Sequence, residues 1–194
     1  ALGIISRDKL SVCVAGTHGK TTTSSMVTHV LKSGGLDISA FLGGVTVDYD
    51  SNFLIGESDI VVLEADEYDR SFLWLSPQIA AITSMDPDHL DIYGDGASMI
   101  SGFKAFAANI KDGGCLIIRY GLLKHFAQVE LDALIDRGVT IYQYGEDAVG
   151  DVRIHNFRVE DGRYMFDYEG LGHKIEAVEM SMPGRHNAEN GSVA

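Results

Sequence analysis

Short, almost uniformly apolar runs alternate with helical stretches along most of this sequence. LSVCVA (10–15), QIAAITS (78–84) and CLIIRY (115–120) are three such runs, each bounded by turn-forming or polar residues. A strand reads this way when both of its faces are buried, as they are in a parallel sheet covered by helices. The pattern predicts an α/β fold whose mostly parallel sheet carries helices on both faces.

Further elements follow the same alternation until the last quarter of the chain. ISAFLGG (38–44), DIVVLEAD (59–66) and VTIYQY (139–144) predict strands, and residues 20–32, 97–110 and 121–136 predict helices. Residues 150–180 then alternate apolar with polar side chains and contain Asp161-Gly162, a hairpin signal. We expect this segment to be a small antiparallel β appendage on the α/β body.

The overall charge of the chain argues against some classes of partner. Its 194 residues include 28 Asp and Glu against 15 Lys and Arg, and no basic cluster stands out, so we expect no nucleic-acid partner. No apolar run is long enough to span a bilayer, so we expect no membrane partner. Cys13 and Cys115 lie in apolar runs far apart, which favours two reduced thiols and a cytoplasmic location.

The string GTHGKTTT (16–23) lies between a predicted strand and a predicted helix, where phosphate-binding loops occur. Gly16 and Gly19 would let the backbone turn tightly with its N–H groups facing inward. Lys20 would reach terminal phosphates, and the Thr21 hydroxyl would bind Mg²⁺. The spacing departs from the common GxxxxGK[ST] motif because the earlier glycine position is Val14. The alternative is an ordinary glycine-rich turn with a solvated lysine.

The apolar core of the strand predicted at 59–66 ends in carboxylates. Glu64 at its end would supply an oxygen ligand to Mg²⁺ beside the phosphates. Asp66, Glu67 and Asp69 crowd the same turn. For Glu67 and Asp69 we expect a solvated acidic loop.

A histidine stands among acids after the strand at 78–84. His89, with Asp86, Asp88 and Asp91, could complete a metal site at the same edge of the sheet. A purely structural histidine is the equally open alternative.

The segment PGRHN (183–187) leads into the last predicted helix. His186, Asn187 and Asn190 could reach an adenine base, because amide side chains match its donor and acceptor edges. Helix capping by Asn187 is the alternative reading.

Together these motifs resemble the Mur ligase family, the ATP-dependent enzymes that build the peptide stem of bacterial peptidoglycan. The matching strings, in family order, are GTHGKTTT (16–23), EADEYDRSFLWLSP (64–77), DPDHLDIYGD (86–95) and MPGRHNAEN (182–190). The resemblance implies that residues 1–194 are the P-loop-type central ATP-binding domain. It also implies that the N-terminal UDP-sugar domain and the C-terminal domain belong to parts of a longer chain.

The strings are most similar to those of the alanine-adding branch of the family. That similarity implies that ATP phosphorylates the carboxylate of UDP-N-acetylmuramate and that L-alanine attacks the acyl phosphate. It assigns catalysis to Lys20, Glu64 and His89, and Mg²⁺ binding to Thr21, Glu64 and His89. The implied ATP-binding residues are Gly16, Thr17, His18, Gly19, Lys20, Thr21, Thr22, His186, Asn187 and Asn190. The Gly43-Gly44 turn is expected to approach the sugar.

Two alternatives remain open. One is the tripeptide-adding branch used in cell-wall recycling, which shares GTHGKTTT; the other is a non-catalytic module that binds a nucleotide only as a conformational ligand. Sister ligases carry a carbamylated lysine after the histidine motif, and Lys104 lies at a plausible distance. Because the alanine-adding branch lacks this modification, we expect Lys104 to be a solvated helix lysine.

Overall fold

The structure, a computed structural model, describes residues 1–68, 70–86, 96–146 and 151–194. Its ten strands in those ranges form one sheet in the order β10-β9-β8-β7-β6-β5-β1-β4-β2-β3. The strands are β1 (Leu10–Ala15), β2 (Ser39–Thr46), β3 (Ser51–Leu54), β4 (Ile60–Glu64), β5 (Ile79–Ile82), β6 (Cys115–Arg119), β7 (Thr140–Gly145), β8 (Val152–Glu160), β9 (Arg163–Gly170) and β10 (His173–Met180). The helices are α1 (Leu2–Asp8), α2 (Lys20–Ser33), α3 (Gly96–Ala108), α4 (Gln128–Asp136) and α5 (Arg185–Gly191), with 3₁₀ turns at Ser71–Trp74 and Leu122–His125.

The centre of the sheet is parallel. β1 pairs in parallel with β4 and β5, and the parallel pairing continues to β2 on one side and to β6, β7 and β8 on the other. Parallel strands end at a common edge, so the residues after β1, β4 and β5 come together there. The predicted antiparallel appendage is confirmed as β8–β10, and it extends the main sheet because β8 pairs with β7.

Neighbouring residues of one strand serve two cores. Val61 and Leu63 belong to the larger core, while Val62 between them packs in a second core beneath α2. This alternation confirms that helices cover both faces of the sheet. Three buried aromatic rings from α3 and the first 3₁₀ turn stack in the larger core: Phe72, Phe103 and Phe106.

Three local elements differ from the sequence-based expectations. The predicted helix at 121–136 is interrupted, because Phe126 is extended and buried between the 3₁₀ turn and α4. Helix α1 and the edge strand β3 were not predicted. α1 depends on tertiary contacts: the hydroxyl of its buried Ser6 accepts a hydrogen bond from the Ser76 N–H at 3.0 Å.

In the part of the chain that the structure describes, no helix is long and apolar enough to cross a membrane.

One carboxylate, that of Asp167 in β9, organises the appendage. It accepts hydrogen bonds from the Ala177 N–H (2.8 Å), the Asn156 amide (2.8 Å) and the Arg158 guanidinium (3.0 Å). Asn156 and Ala177 have positive φ angles of 52° and 55°, at the register shifts of β8 and β10. The Ala177 N–H, Asn156 and Arg158 together lower the pKa of Asp167 from 3.8 to about 2. The charged carboxylate therefore holds both irregular strands in place.

The lowered pKa makes this region sensitive to acid. Because folding depresses the pKa of Asp167, its stabilising contribution is complete above pH 3.8 and is lost as the pH falls through about 2. We expect Asp167→Asn to reduce the melting temperature at neutral pH. We also expect its melting temperature to fall less steeply with acidification than that of the wild type, in melting curves followed by circular dichroism. Asp8→Asn, at the exposed end of α1, is the control. If the melting temperature of Asp167→Asn falls with acidification as steeply as that of the wild type, the role given to Asp167 is contradicted.

Candidate active site

Residues 16–19, here called the glycine loop, connect β1 to α2 at the carboxyl edge of the sheet. Gly16 has a φ of 142°, and a Cβ placed there would lie 2.1 Å from Thr83 Oγ1. Gly19 precedes α2 in the left-handed conformation, with a φ of 83°. A side chain at either position would be strained or would collide. The first N–H groups of α2, from Lys20 to Thr22, lack carbonyl partners within the helix, and such helix starts bind anions.

Two hydroxyl side chains that follow β5 hold the glycine loop. Ser84 Oγ accepts a hydrogen bond from the His18 N–H at 2.7 Å and lies 2.9 Å from Thr17 Oγ1. Thr83 Oγ1 donates to the His18 carbonyl at 2.5 Å. Thr83 and Ser84 were not predicted as site residues, although both are the last residues of the strand predicted at 78–84.

Lys20 is already surrounded by acceptors. Its ammonium donates to the Gly16 carbonyl at 2.9 Å and lies 2.8 and 2.7 Å from the two carboxylate oxygens of Glu67. The Glu67 side chain is fully buried, so the expectation of a solvated carboxylate was wrong for this residue. Asp69, for which the same expectation was made, lies outside the described residues.

A turn after β4 directs Glu67 inward. The Ala65 N–H continues the pairing with β1 by donating to the Val14 carbonyl at 2.8 Å. The Asp66 carboxylate then accepts a hydrogen bond from the Tyr68 N–H at 3.1 Å, an Asx-type turn. With the chain reversed in this way, the side chain between Asp66 and Tyr68 enters the protein beneath the glycine loop.

Thr21 and Glu64, predicted as joint Mg²⁺ ligands, are in direct contact. Thr21 Oγ1 donates to Glu64 Oε1 at 2.8 Å, and the Gly43 N–H donates to Glu64 Oε2 at 2.7 Å. A Cβ on Gly43 would lie 2.3 Å from Glu64 Oε1, so a side chain there would displace the carboxylate from its present position. We had expected Gly43 to approach a sugar; its described contact is with Glu64.

This oxygen pair suits a hard divalent cation. A hydroxyl and a carboxylate are ligands that Mg²⁺ accepts, and Mg²⁺ commonly takes only one or two carboxylates from the protein. His89, the third predicted ligand, lies outside the described residues. Among the residues that are described, no group of three or more His, Cys, Asp and Glu side chains could hold a metal ion. The described donors thus form a partial site that fits Mg²⁺ bound together with phosphate oxygens.

Helix α5 brings one of its predicted residues to the glycine loop. Asn190 is buried, and its Oδ1 lies 2.9 Å from the position that a Cβ on Gly19 would take. His186 lies one turn earlier on the same helix and is exposed. The Asn187 amide donates to the Pro183 carbonyl at 2.7 Å. The N-cap residue of α5 is Gly184, without a side-chain cap hydrogen bond, so the alternative of capping by Asn187 was wrong. Binding of an adenine by these three residues stays a prediction.

A cavity of about 120 Å³ lies beside Ser84, at the ends of β5, β6 and β7. Arg119 and Glu189 cross it with an ion pair of 2.7 Å. Neither residue was singled out from the sequence. The lining residues are Ser84, Asp86, Arg119, Tyr120, Leu122, Tyr144, Gly145 and Glu189.

Residues 14–194 match the family model of the Mur ligase middle domain. The chain belongs to the Mur ligase family. A UDP-N-acetylmuramate–L-alanine ligase of Parabacteroides distasonis is 44% identical to it over 194 residues, all of this chain and 40% of that relative. The chain therefore spans about two fifths of the length of the curated Mur ligase that it matches.

Two solved Mur ligase structures share the fold. A UDP-N-acetylmuramate:L-alanyl-γ-D-glutamyl-meso-diaminopimelate ligase from Neisseria meningitides aligns with a TM-score of 0.78 and 25% identity, over 97% of this chain and 61% of the other. A UDP-N-acetylmuramate–alanine ligase from Thermotoga maritima aligns with a TM-score of 0.76 and 26% identity, over 97% of this chain and 41% of the other. These likenesses agree with the family assignment from the sequence.

Lys104, considered as a modified lysine of sister Mur ligases, has a partner on a neighbouring helix. Its ammonium lies 2.9 Å from Glu130 of α4, and its side chain is 25% exposed. The pKa of Glu130 is lowered, and the hydrogen bond from Lys104 is the largest cause. The lysine thus joins α3 to α4, and its being unmodified stays a prediction.

The close approach of Gly16 to Thr83 generates a test of the loop. We expect Gly16→Ala to weaken nucleotide binding by about 10- to 100-fold, because the added Cβ must displace the glycine loop. Overpacking of this kind costs about 1–3 kcal/mol. Isothermal titration calorimetry with Mg-ATP would measure the loss. Gly35→Ala is the matched control: Gly35 has a φ of 85° but no atom within 4 Å of an added Cβ. Its strain should cost stability of about 1–2 kcal/mol and leave nucleotide affinity unchanged. Equal losses in both variants would contradict a specific role for Gly16.

Proposed function

We propose that this chain is the central domain of an ATP-dependent ligase that joins L-alanine to UDP-N-acetylmuramate through an acyl phosphate. The observation that carries the proposal is the convergence of Lys20, Thr21 and Glu64 at the amino end of α2. The name of the 44% identical relative supports the choice of substrates.

Bound Mg-ATP would supply the phosphoryl group that activates the sugar carboxylate, and the remaining work belongs to the chain's own residues. Lys20 and the first N–H groups of α2 would place positive charge at the phosphate oxygens, which is a positioning and electrostatic task. Thr21 and Glu64 would hold Mg²⁺, and we propose His89 as a further ligand. Thr83 and Ser84 keep the loop rigid, so its charges need no rearrangement during transfer.

The nucleoside end of ATP is assigned to α5. Asn190 already lies against Gly19, at the junction of the loop and the helix. We propose that Asn190 and His186, one helical turn apart, hold the adenosine. We propose that Asn187 lies beside them at the adenosine. Its amide donates a hydrogen bond to the Pro183 carbonyl.

The remaining substrates are assigned to other parts of the protein. We propose an N-terminal domain for the UDP-sugar and a C-terminal domain that closes over ATP, which agrees with the chain spanning 40% of its relative. Residues 1–194 alone should then fold without catalysing ligation. We also propose a cytoplasmic enzyme: Cys13 and Cys115 are free thiols, and burial raises their pKa values to about 12 and about 11.

The tripeptide-adding ligase is the nearest alternative. The solved structures are about equally similar for the two branches, with 25% identity for the tripeptide-adding enzyme and 26% for the alanine-adding one. The name of the 44% identical relative supports the alanine-adding branch. A non-catalytic nucleotide module is the other alternative. The contact between Thr21 and Glu64 argues against it, because simple nucleotide binding does not require a metal-directed carboxylate.

Phosphate release from Mg-ATP by the full-length protein tests the choice. The protein is offered UDP-N-acetylmuramate with either L-alanine or the tripeptide L-alanyl-γ-D-glutamyl-meso-diaminopimelate. Release that requires L-alanine supports the proposal. Release that requires the tripeptide replaces it with the recycling ligase, and release with neither favours the nucleotide module.

The same assay yields a mutational prediction. We expect Glu64→Ala to lower kcat by about 100-fold or more, because the carboxylate proposed to hold the Mg²⁺ charge at the transferring phosphoryl group is lost. Glu57→Ala, which removes an exposed carboxylate after β3, should keep full turnover. A Glu64→Ala enzyme with normal kcat and weaker ATP binding would contradict a catalytic role for Glu64.

A further inference from the structure

We propose that Glu67 is a positioning residue that acts on phosphoryl transfer through Lys20. It holds the lysine ammonium at the mouth of the glycine loop and competes with the nucleotide for it. The proposal rests on the proposed function for its effect on turnover, while its effect on ATP binding can be measured without any ligation.

The burial of the pair is the first observation. The Glu67 side chain has no exposed surface, and the Lys20 side chain is 13% exposed. Transfer of an isolated carboxylate out of water is very costly, so a buried one is expected to have a charged partner. Lys20 meets that need with short contacts to both carboxylate oxygens.

The number of acceptors around Lys20 is the second observation. A lysine ammonium has three N–H donors and no acceptor. Three protein oxygens lie within 2.9 Å of it: the Gly16 carbonyl and the two Glu67 carboxylate oxygens. Glu67 Oε1 accepts a hydrogen bond from Lys20 and Oε2 lies at ion-pair distance, so a phosphate at Lys20 meets an ammonium whose charge is already shared with a buried carboxylate. Glu67 and the phosphate are competitors for the same cation.

The origin of the two groups is the third observation. Lys20 is the first residue of α2, and its ammonium donates to the Gly16 carbonyl in the preceding loop. Glu67 lies in the turn after β4. The ammonium is thus fixed between two elements of the sheet edge. A lysine held in this way loses little rotamer freedom when the transition state forms, which is the advantage of preorganisation.

These observations predict opposite effects of one substitution on binding and turnover. Glu67→Gln keeps the size of the side chain but removes its charge. ATP should bind about 3- to 10-fold more tightly, because Lys20 is released from the carboxylate that competes with the phosphates for it. The kcat should fall by about 10- to 100-fold, because Lys20 is no longer held in its productive place. Glu67→Asp keeps the charge and should leave kcat closer to that of the wild type.

The experiment uses the full-length ligase. ATP affinity is measured by calorimetry without the other substrates, and kcat by phosphate release with UDP-N-acetylmuramate and L-alanine. Each is determined for the wild type, Glu67→Gln, Glu67→Asp, Lys20→Met and the Lys20→Met/Glu67→Gln double variant. Glu57→Gln is the matched control for loss of an exposed carboxylate.

The double variant tests whether Glu67 acts through Lys20. If it does, Glu67→Gln should change neither ATP affinity nor kcat once Lys20 is methionine. Equal effects in both backgrounds would overturn the proposal, as would a Glu67→Gln enzyme within twofold of the wild type in both measurements. If Lys20→Met does not fold, the comparison of Glu67→Gln with Glu67→Asp decides alone: equal kcat values in these two overturn the proposal. A wild type that binds ATP without ligating would refute the proposed function, while the affinity changes would still test Glu67.

Discussion

The backbone at Gly16 passes so close to Thr83 that no side chain fits between them. This contact is possible because β1 and β5 are parallel neighbours whose ends lie side by side. The hydroxyls of Thr83 and Ser84 then bind the loop backbone at His18. The direction of α2, the exposed N–H groups at its start and the place of Lys20 all follow from this one junction.

The junction lets an acidic chain present a site for a polyanion. The protein has a formal charge of −13, and two carboxylates stand directly at the glycine loop. Their roles are separated by three positions along the chain: Glu64 faces Thr21 at the surface, and Glu67 is buried against Lys20. The first carboxylate suits a metal ion and the second neutralises a lysine. The local arrangement, and not the net charge, determines which ligand can approach.

The motifs were predictable from the sequence because their position at strand ends follows from the α/β pattern. The positions of Lys20 and Glu64 could be predicted because parallel strands end at one edge of the sheet. Glu67 was misjudged because its burial depends on an Asx-type turn that reverses the chain, and acidic residues in turns are usually solvated. The same limit applies to α1 and to the break before α4. Ser6 and Phe126 are placed by contacts with distant residues, which override local propensity.

The positive φ of Ala177 has a consequence for how the protein meets other molecules. β10 forms one edge of the sheet, and an edge strand with free N–H groups can template the addition of a strand from another chain. Here the Ala177 N–H is taken by Asp167, and the strand is kinked between Ile175 and Val178. A kinked edge offers a poor match to a straight incoming strand. The register shift that Asp167 holds in place therefore makes β10 a poorer template for edge-to-edge pairing.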